Sequence, residues 1–348
     1  MLDRFFGLFS HDVGIDLGTA NTMVHVKGKG IVIREPSVVA RHQKTKEVLA
    51  IGSEAKKMIG KTPKMIEALR PLRNGVIADF DAAEAMLTYY IKQVHAGSSM
   101  MPRVPRPRVV VGIPSGVTEV ERRAVQEAAL AAGAREAFLI EEPMAAAIGA
   151  GIPVEESEGH LIVDIGGGTT EIAVISIGGI VVESSVRVAG DEMDQAVVNF
   201  ARSKYSLLLG ERSAEDIKIA IGSAFPLDKE LKSVMRGRDL GTGLPQSIKV
   251  TSVEIREALA PVVHQIVGAI TDAIEETPPE LISDILAHGV TMAGGGSLLR
   301  GIDKLIASEV KMPVWVTDDP QTAVVRGCGV VLENPKLLNK VRVVGGLR

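Results

Sequence analysis

The fold of this chain can be predicted from two segments, Val13-Gly-Ile-Asp-Leu-Gly-Thr-Ala-Asn-Thr22 and Ile162-Val-Asp-Ile-Gly-Gly-Gly-Thr-Thr170. They align without gaps, and in each an aspartate is followed by a glycine and then by a threonine at the same spacing. Each segment reads as an apolar strand, a tight glycine turn and the start of a second strand, which is the pattern of a β-hairpin. The recurrence of this hairpin indicates an internal duplication.

A second pair of segments supports the duplication. Phe138-Leu-Ile-Glu-Glu-Pro143 and Trp315-Val-Thr-Asp-Asp-Pro320 each run from an apolar strand through two acidic residues to a proline, and small residues follow. Proline suits the first turn of a helix, because its missing N–H would make no intrahelical bond there. Two lobes of common origin, each with a strand that leads into a helix, explain both pairs.

The rest of the chain alternates predicted strands and helices. Val109–Ile113 is a continuous apolar run, typical of a strand buried on both faces. Thr118 and Glu121 then have the spacing of a capping box, and Gly133 is expected to end that helix. This alternation predicts an α/β fold with a largely parallel sheet and crossover helices in each lobe.

Composition excludes several classes of protein. The formal net charge of −4 argues against nucleic-acid binding, which usually needs a basic face. The single cysteine, Cys328, excludes a disulfide framework and suits a reducing cytosol. No apolar run reaches the roughly 20 residues that span a bilayer. The seven histidines show no metal-ligand spacing, so we expect structural or surface roles for them.

The two hairpin turns have the composition of phosphate-binding loops. Glycine and threonine present backbone N–H groups and hydroxyls to phosphate oxygens, and glycine lets the ligand approach because it has no Cβ. Asp16 and Asp164, one in each segment, are expected to face a hard cation. Mg²⁺ prefers oxygen ligands and retains waters, so contact through water is expected. The alternative is that each aspartate stabilises its own turn.

Thr291-Met-Ala-Gly-Gly-Gly-Ser297 is a third glycine-rich site, predicted to join a strand to a helix. Consecutive glycines let a flat base or a phosphate pack on the backbone, and a helix N-terminus favours an anion. A simple strand-to-helix turn is the alternative. The chain has neither a dinucleotide-binding GxGxxG unit nor a Walker-type lysine. The residues alone therefore predict a two-lobed clasp around a polyphosphate.

Three of these motifs resemble the two phosphate motifs and the adenosine motif of the actin, Hsp70 and sugar-kinase superfamily. They are Asp16-Leu-Gly-Thr-Ala-Asn21, Asp164-Ile-Gly-Gly-Gly-Thr169 and Ala293-Gly-Gly-Gly296. Within that superfamily the chain is most similar to the MreB family of bacterial actin-like proteins. Four further segments carry this similarity: Glu35-Pro-Ser-Val-Val39, Arg70-Pro-Leu-Arg-Asn-Gly-Val-Ile-Ala-Asp79, Glu121-Arg-Arg123 and Glu141-Glu-Pro-Met-Ala-Ala-Ala-Ile-Gly149. The resemblance weakens across Leu227–Thr251 and in the C-terminal tail.

The resemblance implies an ATP site with Mg²⁺ and slow hydrolysis coupled to polymerisation. The phosphates would be held by Thr19, Ala20, Asn21, Gly166, Gly167 and Gly168. Ribose and base would be contacted by Glu215 and Lys218, and the adenine would be backed by Gly294, Gly295, Gly296 and Ser297. Glu142 would position the attacking water with the help of Thr169. From the residues alone, Glu142 could equally be an exposed acid at a helix start.

The resemblance also implies four subdomains around the nucleotide cleft. Their expected ranges are 11–33, 65–145 and 315–348 for subdomain IA, 34–64 for IB, 146–182 and 253–314 for IIA, and 183–252 for IIB. As a filament protein of this family, the chain would form paired, antiparallel protofilaments on the inner face of the plasma membrane. Its partners would be RodZ, MreC, MreD and the wall-synthesis enzymes, and its role would be to maintain a rod shape.

The first ten residues predict a membrane-binding helix. Leu2, Phe5, Phe6 and Phe9 recur with the period of one helical face, and they include three of the seven phenylalanines. Docking of this face on the protein's own core is the alternative. A second expected membrane contact is the pair Met100 and Met101, followed by the arginines 103, 106 and 108, which suit anionic headgroups.

Two other activities of the same superfamily are weighed against a filament. A sugar kinase would need a catalytic base in a sugar pocket and is usually longer. An Hsp70-type chaperone would need a substrate-binding domain after the ATPase, for which 348 residues leave little room. A division-type relative would anchor through a C-terminal helix, whereas the amphipathic segment lies here at the start. The cytoskeletal interpretation therefore fits best.

Overall fold

The structure is a computed structural model that describes residues 10–96 and 106–343. The elements of its N-terminal half are, in chain order, β1 (Val13–Leu17), β2 (Asn21–Val26), β3 (Gly30–Pro36), β4 (Val39–His42), β5 (Val48–Ile51), α1 (Ser53–Met58), β6 (Ile66–Leu69), β7 (Leu72–Arg73), β8 (Val76–Ile77), α2 (Phe80–His95), β9 (Arg108–Ile113), α3 (Glu119–Ala131), β10 (Glu136–Glu141) and α4 (Glu142–Gly149).

The elements of the C-terminal half follow in the same way. They are β11 (His160–Ile165), β12 (Thr170–Ser176), β13 (Gly179–Val186), α5 (Gly190–Tyr205), β14 (Leu207–Leu208), α6 (Glu211–Ile221), β15 (Lys232–Asp239), β16 (Pro245–Thr251), α7 (Ser252–Glu275), α8 (Pro279–His288), β17 (Val290–Ala293), a 3₁₀ turn (Gly295–Leu298), α9 (Ile302–Val310), β18 (Val314–Val316), a second 3₁₀ turn (Pro320–Thr322), α10 (Ala323–Glu333) and α11 (Pro335–Val341).

The strand order of the two large sheets bears out the duplication. The first sheet has the order β10-β9-β1-β2-β3, and the second, read from its other edge, has β18-β17-β11-β12-β13. Both predicted hairpins are present, with β1 antiparallel to β2 and β11 antiparallel to β12. The second pair of repeated segments also takes equivalent places, because β10 leads into α4 and β18 leads towards α10. Each lobe is thus one copy of the same α/β unit.

The prediction of a largely parallel sheet is wrong for both lobes. In the first sheet, β10, β9 and β1 are parallel to one another, whereas β1, β2 and β3 pair antiparallel. In the second sheet, β18, β17 and β11 are parallel, whereas β11, β12 and β13 pair antiparallel. The reason is local: a short turn returns the chain beside the strand it has just left, and only crossover connections generate parallel neighbours. The sheets are therefore mixed.

Helices α4 and α10 pack at the junction between the lobes, where each occupies the same place in its own repeat. A Cβ on Gly149 would lie 1.9 Å from the Ala323 carbonyl oxygen, and one on Gly327 would lie 1.8 Å from that of Ala145. Only glycine permits so close a crossing. Apolar side chains of both helices and of both large sheets form a shared core here, between the separate cores of the two lobes.

The predicted helix starts are confirmed in most details. Thr118 and Glu121 form a reciprocal capping box at α3, and Gly133, with a φ of +106°, follows the end of that helix. Pro143 lies in the first turn of α4. After Pro320, however, the chain first makes a 3₁₀ turn, and α10 begins only at Ala323.

The described residues also form two three-stranded sheets and a two-stranded sheet of β7 and β8. One three-stranded sheet contains β5, β4 and β6 with α1 beside them, and the other contains β14, β15 and β16. The assignment of residue ranges to four subdomains stays a prediction. Within residues 10–96 and 106–343, the structure contains no helix that combines the length and the apolar character needed to cross a membrane.

Candidate functional site

A cavity of about 500 Å³ lies between the two lobes, and its walls come from both. The hairpin turns, the start of α4, one face of α6 and the turn after β17 all contribute. The following residues proposed from the sequence line it: Asp16, Thr19, Ala20, Asn21, Glu142, Asp164, Gly166, Gly167, Gly168, Thr169, Glu215, Lys218, Gly294, Gly295 and Gly296. Residues far apart in the chain therefore meet in one cleft, as the duplication predicts.

The two hairpin turns face each other at the centre of this cleft. A Cβ on Gly167 would lie 2.7 Å from the Cβ of Ala20, and one on Gly168 would lie 2.9 Å from the hydroxyl oxygen of Thr19. That hydroxyl also accepts a hydrogen bond of 2.9 Å from the Gly75 N–H. Larger residues would fill the gap between the turns. The glycines thus leave a narrow space lined by backbone, in which phosphate oxygens can be bound.

Four carboxyl groups gather beside the turns. Asp16 and Asp164 hold equivalent places in β1 and β11, Glu142 is the first residue of α4, and Glu171 follows the second turn in β12. Burial raises the pKa of Asp16 and of Asp164 to about 7. Burial, together with the charges of Glu171, Asp16 and Asp164, raises the pKa of Glu142 well above its usual value. Like charges crowded in a desolvated site have this effect.

Sequence reasoning did not single out Glu171, although its side chain is only 1% exposed. It pairs with Asp164 in the register of the second hairpin. Its carboxylate accepts hydrogen bonds from the Ser115 N–H at 3.1 Å and from the Ser185 hydroxyl at 2.8 Å. Burial nevertheless raises its pKa to about 7. An acidic residue within the apolar strand Thr170–Ser176 was the signal that could have revealed it.

This cluster has the character of a site for a hard cation. Among the described residues, none of these four carboxyl groups forms an ion pair with a lysine, arginine or histidine side chain, and the largest cause of each raised pKa is burial. Several buried acids without a positive partner are unfavourable unless they are protonated or a cation is bound. Carboxylate oxygens are the ligands that Mg²⁺ prefers. The residues present therefore fit Mg²⁺ beside a polyphosphate.

On the opposite wall, Glu215 and Lys218 line the cavity but already have protein partners. Glu215 in α6 forms an ion pair of 2.9 Å with Lys56 in α1, which comes from the other lobe. Lys218 forms an ion pair of 2.8 Å with Asp194 and donates to the Gly190 carbonyl oxygen at 2.9 Å. A ligand that used Glu215 or Lys218 would therefore share these groups with their present partners.

A second ion pair spans the same cleft. Arg70, in the segment between β6 and β7, lies 2.7 Å from Asp191 at the start of α5. Both residues line the cavity, and neither was proposed as a site residue from the sequence. Together with the Lys56–Glu215 pair, this contact joins the two lobes across the mouth of the cleft. Residues so far apart in the chain give no local pattern that would reveal such a pair.

The glycine turn after β17 packs directly on the acid cluster. Gly294 has a φ of +80°, and a Cβ there would lie 2.3 Å from a carboxylate oxygen of Asp164. A Cβ on Gly296 would lie 2.2 Å from the Ile165 side chain. Glycine is therefore required at both positions by the contact between β17 and β11. This part of the cavity wall is consequently bare backbone, on which a flat ring can pack.

Two expectations for this turn need correction. The glycines do not open an α-helix: they lead into a short 3₁₀ turn, and α9 begins only at Ile302. The argument from a helix N-terminus therefore does not apply here. Ser297 does not line the cavity, because its side chain is 4% exposed and its hydroxyl donates to the Ala293 carbonyl oxygen. Its role is to hold the turn rather than to meet a ligand.

The residues predicted to bind membrane lie outside the described ranges. They are Leu2, Phe5, Phe6, Phe9, Met100 and Met101. The described residues that border the two segments are in contact: the Arg106 N–H donates to the Ser10 hydroxyl at 2.9 Å. The two segments are thus attached to the body of the protein at neighbouring points.

Comparisons with known proteins agree with this architecture. A model of the MreB/Mbl protein family matches residues 10–340. The cell shape-determining protein MreB of Escherichia coli K12 is 54% identical over 337 residues, which cover 96% of each chain. The cell shape-determining protein Mbl of Bacillus subtilis is 48% identical over 333 residues, which cover 96% of this chain and 99% of Mbl.

Solved structures resemble the whole molecule. The crystal structure of MreB5 of Spiroplasma citri bound to ADP has a TM-score of 0.89 and 39% identity, and covers 95% of this chain and 98% of its own. The crystal structure of the same protein bound to AMPPNP has a TM-score of 0.88 and 40% identity, and the match covers 94% of this chain and 97% of that structure's chain. The MamK double helical filament shares the fold, with a TM-score of 0.79 at 21% identity over 93% and 99% of the two chains.

Proposed function

The chain belongs to the MreB/Mbl family of actin-like proteins, and from this premise we propose that it is an ATP-dependent filament protein that takes part in determining cell shape. The observation that carries the proposal is the cleft between duplicated lobes, in which two glycine turns lie beside four carboxyl groups. Curated relatives across the whole length are named as cell shape-determining proteins, and a similar structure holds ADP. A sugar kinase or an Hsp70-type ATPase has no comparable support.

The phosphate-binding part of the proposal rests on the turns. Backbone N–H groups of Ala20, Asn21 and Gly166–Gly168 would bind the phosphate oxygens, and the hydroxyl of Thr19 borders the same space. Mg²⁺ would supply positive charge to the phosphates, with Asp16 and Asp164 holding it through water. Glu215 and Lys218 would meet the ribose and base, and the wall at Gly294–Gly296 would back the adenine.

Hydrolysis would depend on Glu142. Its carboxylate lies at the start of α4, on the wall of the cavity that also carries Thr169. A carboxylate in that place can accept a proton from a water molecule and orient it towards the terminal phosphate. Thr169 would position the same water. Glu171, which contacts Thr169 and the Ser115 N–H, would hold this wall in place.

Assembly would convert weak contacts of single molecules into strong attachment. We propose self-association into paired, antiparallel protofilaments with subdomains IA, IB, IIA and IIB arranged as predicted. The segment 1–10 and the loop with Met100 and Met101 would then be repeated along the filament. Each copy needs only marginal affinity for anionic lipid, because many linked copies bind with high avidity. RodZ, MreC, MreD and the wall-synthesis enzymes are the proposed partners at the inner membrane face.

One experiment tests nucleotide, filament and membrane together. Purified protein is imaged by electron microscopy on anionic liposomes with Mg-ATP, with ADP, and with ATP and a chelator. We expect paired filaments on the lipid surface with Mg-ATP and none when the nucleotide or the metal is withheld. A monomeric protein that turns over sugars in a panel of substrates would contradict the proposal and favour a kinase.

A further inference from the structure

Three side chains meet at the end of the second large sheet that lies away from the nucleotide cleft. Glu158 and His160 flank Gly159 at the start of β11, and His288 is the last residue of α8. One ligand atom from each of the three lies within 4.8 Å of the others. Asp164 lies near the opposite end of β11, so this cluster is separate from the acid cluster of the cleft.

The imidazole of His160 contains a polar atom that has no partner. His160 is 9% exposed, and its Nε2 is buried without a hydrogen bond. Leaving such an atom unsatisfied costs about 1–3 kcal/mol, so buried polar atoms nearly always have a partner. The ring stacks on that of His288, with centroids 4.5 Å apart and planes 16° apart. The ring that carries the unpartnered nitrogen thus packs against another member of the cluster.

His288 faces an oxygen acceptor with each of its ring nitrogens. Its Nδ1 lies 3.4 Å from the Gly159 carbonyl oxygen, and its Nε2 lies 3.1 Å from a carboxylate oxygen of Glu158. A neutral imidazole carries one N–H, so it can donate to only one of them. The other nitrogen must either be protonated or share a cation with the carboxylate. The contact through Nδ1 to a backbone carbonyl is the one that metal-binding histidines typically make.

We propose that Glu158, His160 and His288 form a binding site for a divalent transition-metal ion of the zinc class. Two imidazole nitrogens and one carboxylate oxygen are donors that zinc prefers, and three protein ligands leave one position for water. Binding turns the two rings out of their stack, so that their lone pairs point to one centre. His288 can do so, since its side chain is 36% exposed at the end of a helix.

The loop that carries two of the proposed ligands is held in place by the neighbouring helix α8. Asp284 accepts a hydrogen bond of 2.9 Å from the Gly159 N–H and so holds the loop that carries two of the ligands. A bound ion would join the start of β11 to the end of α8, and would stabilise the folded second lobe because the unfolded chain lacks the site.

The test is a zinc titration of the full-length protein. The protein is first saturated with Mg-ADP, so that the cleft is occupied, and Zn²⁺ is then added in competition with a chromophoric chelator. Cobalt(II) serves as a second probe, because tetrahedral sites give it a characteristic visible absorption. We expect one equivalent of tightly bound zinc, a tetrahedral cobalt spectrum, and a higher melting temperature with zinc than without it.

Variants identify the ligands. His288→Ala and Glu158→Gln change exposed side chains and should fold normally, with binding of Mg-ADP as the check. Each should weaken zinc binding by about tenfold or more, and His160→Gln should do the same. The matched control is His264→Ala, which removes an exposed histidine on α7 whose Nδ1 lies 2.7 Å from the Ala260 carbonyl oxygen of the same helix. It should bind zinc like the original chain.

Two results would overturn the proposal. The first is that the original chain binds no more zinc than the His288→Ala variant does. The other is zinc binding that survives all three substitutions, which would place the ion elsewhere.

Discussion

Glu142 is the residue at which the chemistry proposed for this protein can be tested most directly. Its carboxylate lies among three other acids, and burial and their charges raise its pKa. Glu142 does not cap α4. The N-cap residue is Glu141, whose side chain makes no capping hydrogen bond. Glu142 lies in the first turn of α4 and lines the cavity, so its proposed role in hydrolysis is decided by substitution.

We predict that Glu142→Ala retains ATP binding and slows phosphate release about tenfold or more, because it removes the group that orients water and leaves the glycine turns intact. Nucleotide affinity and phosphate release are measured on the same preparation. Glu141→Ala is the matched control, since it alters the preceding acid. Normal phosphate release by Glu142→Ala would remove the catalytic role assigned to it.

Asp16 and Asp164 give a second test at this scale. Substitution of either residue by Ala should weaken binding of Mg-ATP more than binding of ATP in a chelator, because the carboxylates act on the cation. The measurement is nucleotide affinity with and without Mg²⁺. If both affinities fall equally, the aspartates serve the structure of their turns instead.

At the scale of elements, the start of the long helix α7 gives a pH-dependent prediction. Glu254 completes a capping box with Thr251. Its carboxylate also accepts hydrogen bonds from Lys204, at 2.8 Å, and from the Tyr205 hydroxyl. The bonds from Lys204, Tyr205 and the Thr251 N–H and hydroxyl lower the pKa of Glu254 from 4.5 to about 2. A carboxyl group with a lowered pKa stabilises the fold fully above its unfolded pKa.

We therefore expect Glu254→Gln to lower the free energy of unfolding by about 1 kcal/mol at pH 7. The difference in free energy of unfolding between the variant and the original chain should decline as the pH falls from 4.5 towards 2. Glu254 then becomes protonated in the folded state as well as in the unfolded state. Denaturant unfolding at several pH values measures it. A difference that stays constant over that range would show that charge at Glu254 does not contribute.

The contact between α1 and α6 gives a second prediction about elements. Lys56 and Glu215 join the lobes across the mouth of the cleft, and Glu215 is also the proposed ribose contact. Lys56→Ala should speed dissociation of a fluorescent ADP about two- to fivefold, as expected from the loss of one partly exposed ion pair. Lys57→Ala is the control, since the ion pair of Lys57 among the described residues is with Glu54 on the same helix. Equal rates in the two variants would contradict a role for the interlobe pair.

At the scale of the whole molecule, the prediction concerns attachment to membranes. Deletion of residues 1–10, or replacement of Phe5 and Phe6 by Ser, should greatly reduce sedimentation with anionic liposomes. Two phenylalanines contribute roughly 3–6 kcal/mol of apolar transfer per copy, which is more than a marginal anchor can lose. Nucleotide binding should persist, since the cavity walls begin at Asp16. Met100 and Met101 would retain some binding in long filaments.

The outcome that would contradict this prediction is specific. If the deletion variant folds, binds ATP and sediments with lipid as well as the full chain, the first ten residues do not anchor it. The apolar face would then be docked on the protein's own body. The contact between Ser10 and Arg106 makes either arrangement compatible with the described residues, so sedimentation decides between them.

Features that depend on neighbouring residues could be predicted from the sequence. Local backbone geometry produces the two hairpins, the capping box of α3 and the glycine turns. Short sequence patterns predict this local geometry. The duplication was visible for the same reason, because each copy retained its turn residues. These patterns, with the family resemblance, were enough to locate the two glycine turns, Glu142 and the glycines after β17 on the cavity wall.

Features that depend on distant residues were revealed by the folded structure. It placed Glu171 among the acids, turned the Ser297 hydroxyl away from the cavity, and joined Lys56 to Glu215. It also brought His160 and His288 together, although their spacing in the chain suggested no metal site. Such contacts form because strands and helices from separate parts of the chain pack into one core. A side chain's partners are then set by that packing, which no short segment of sequence specifies.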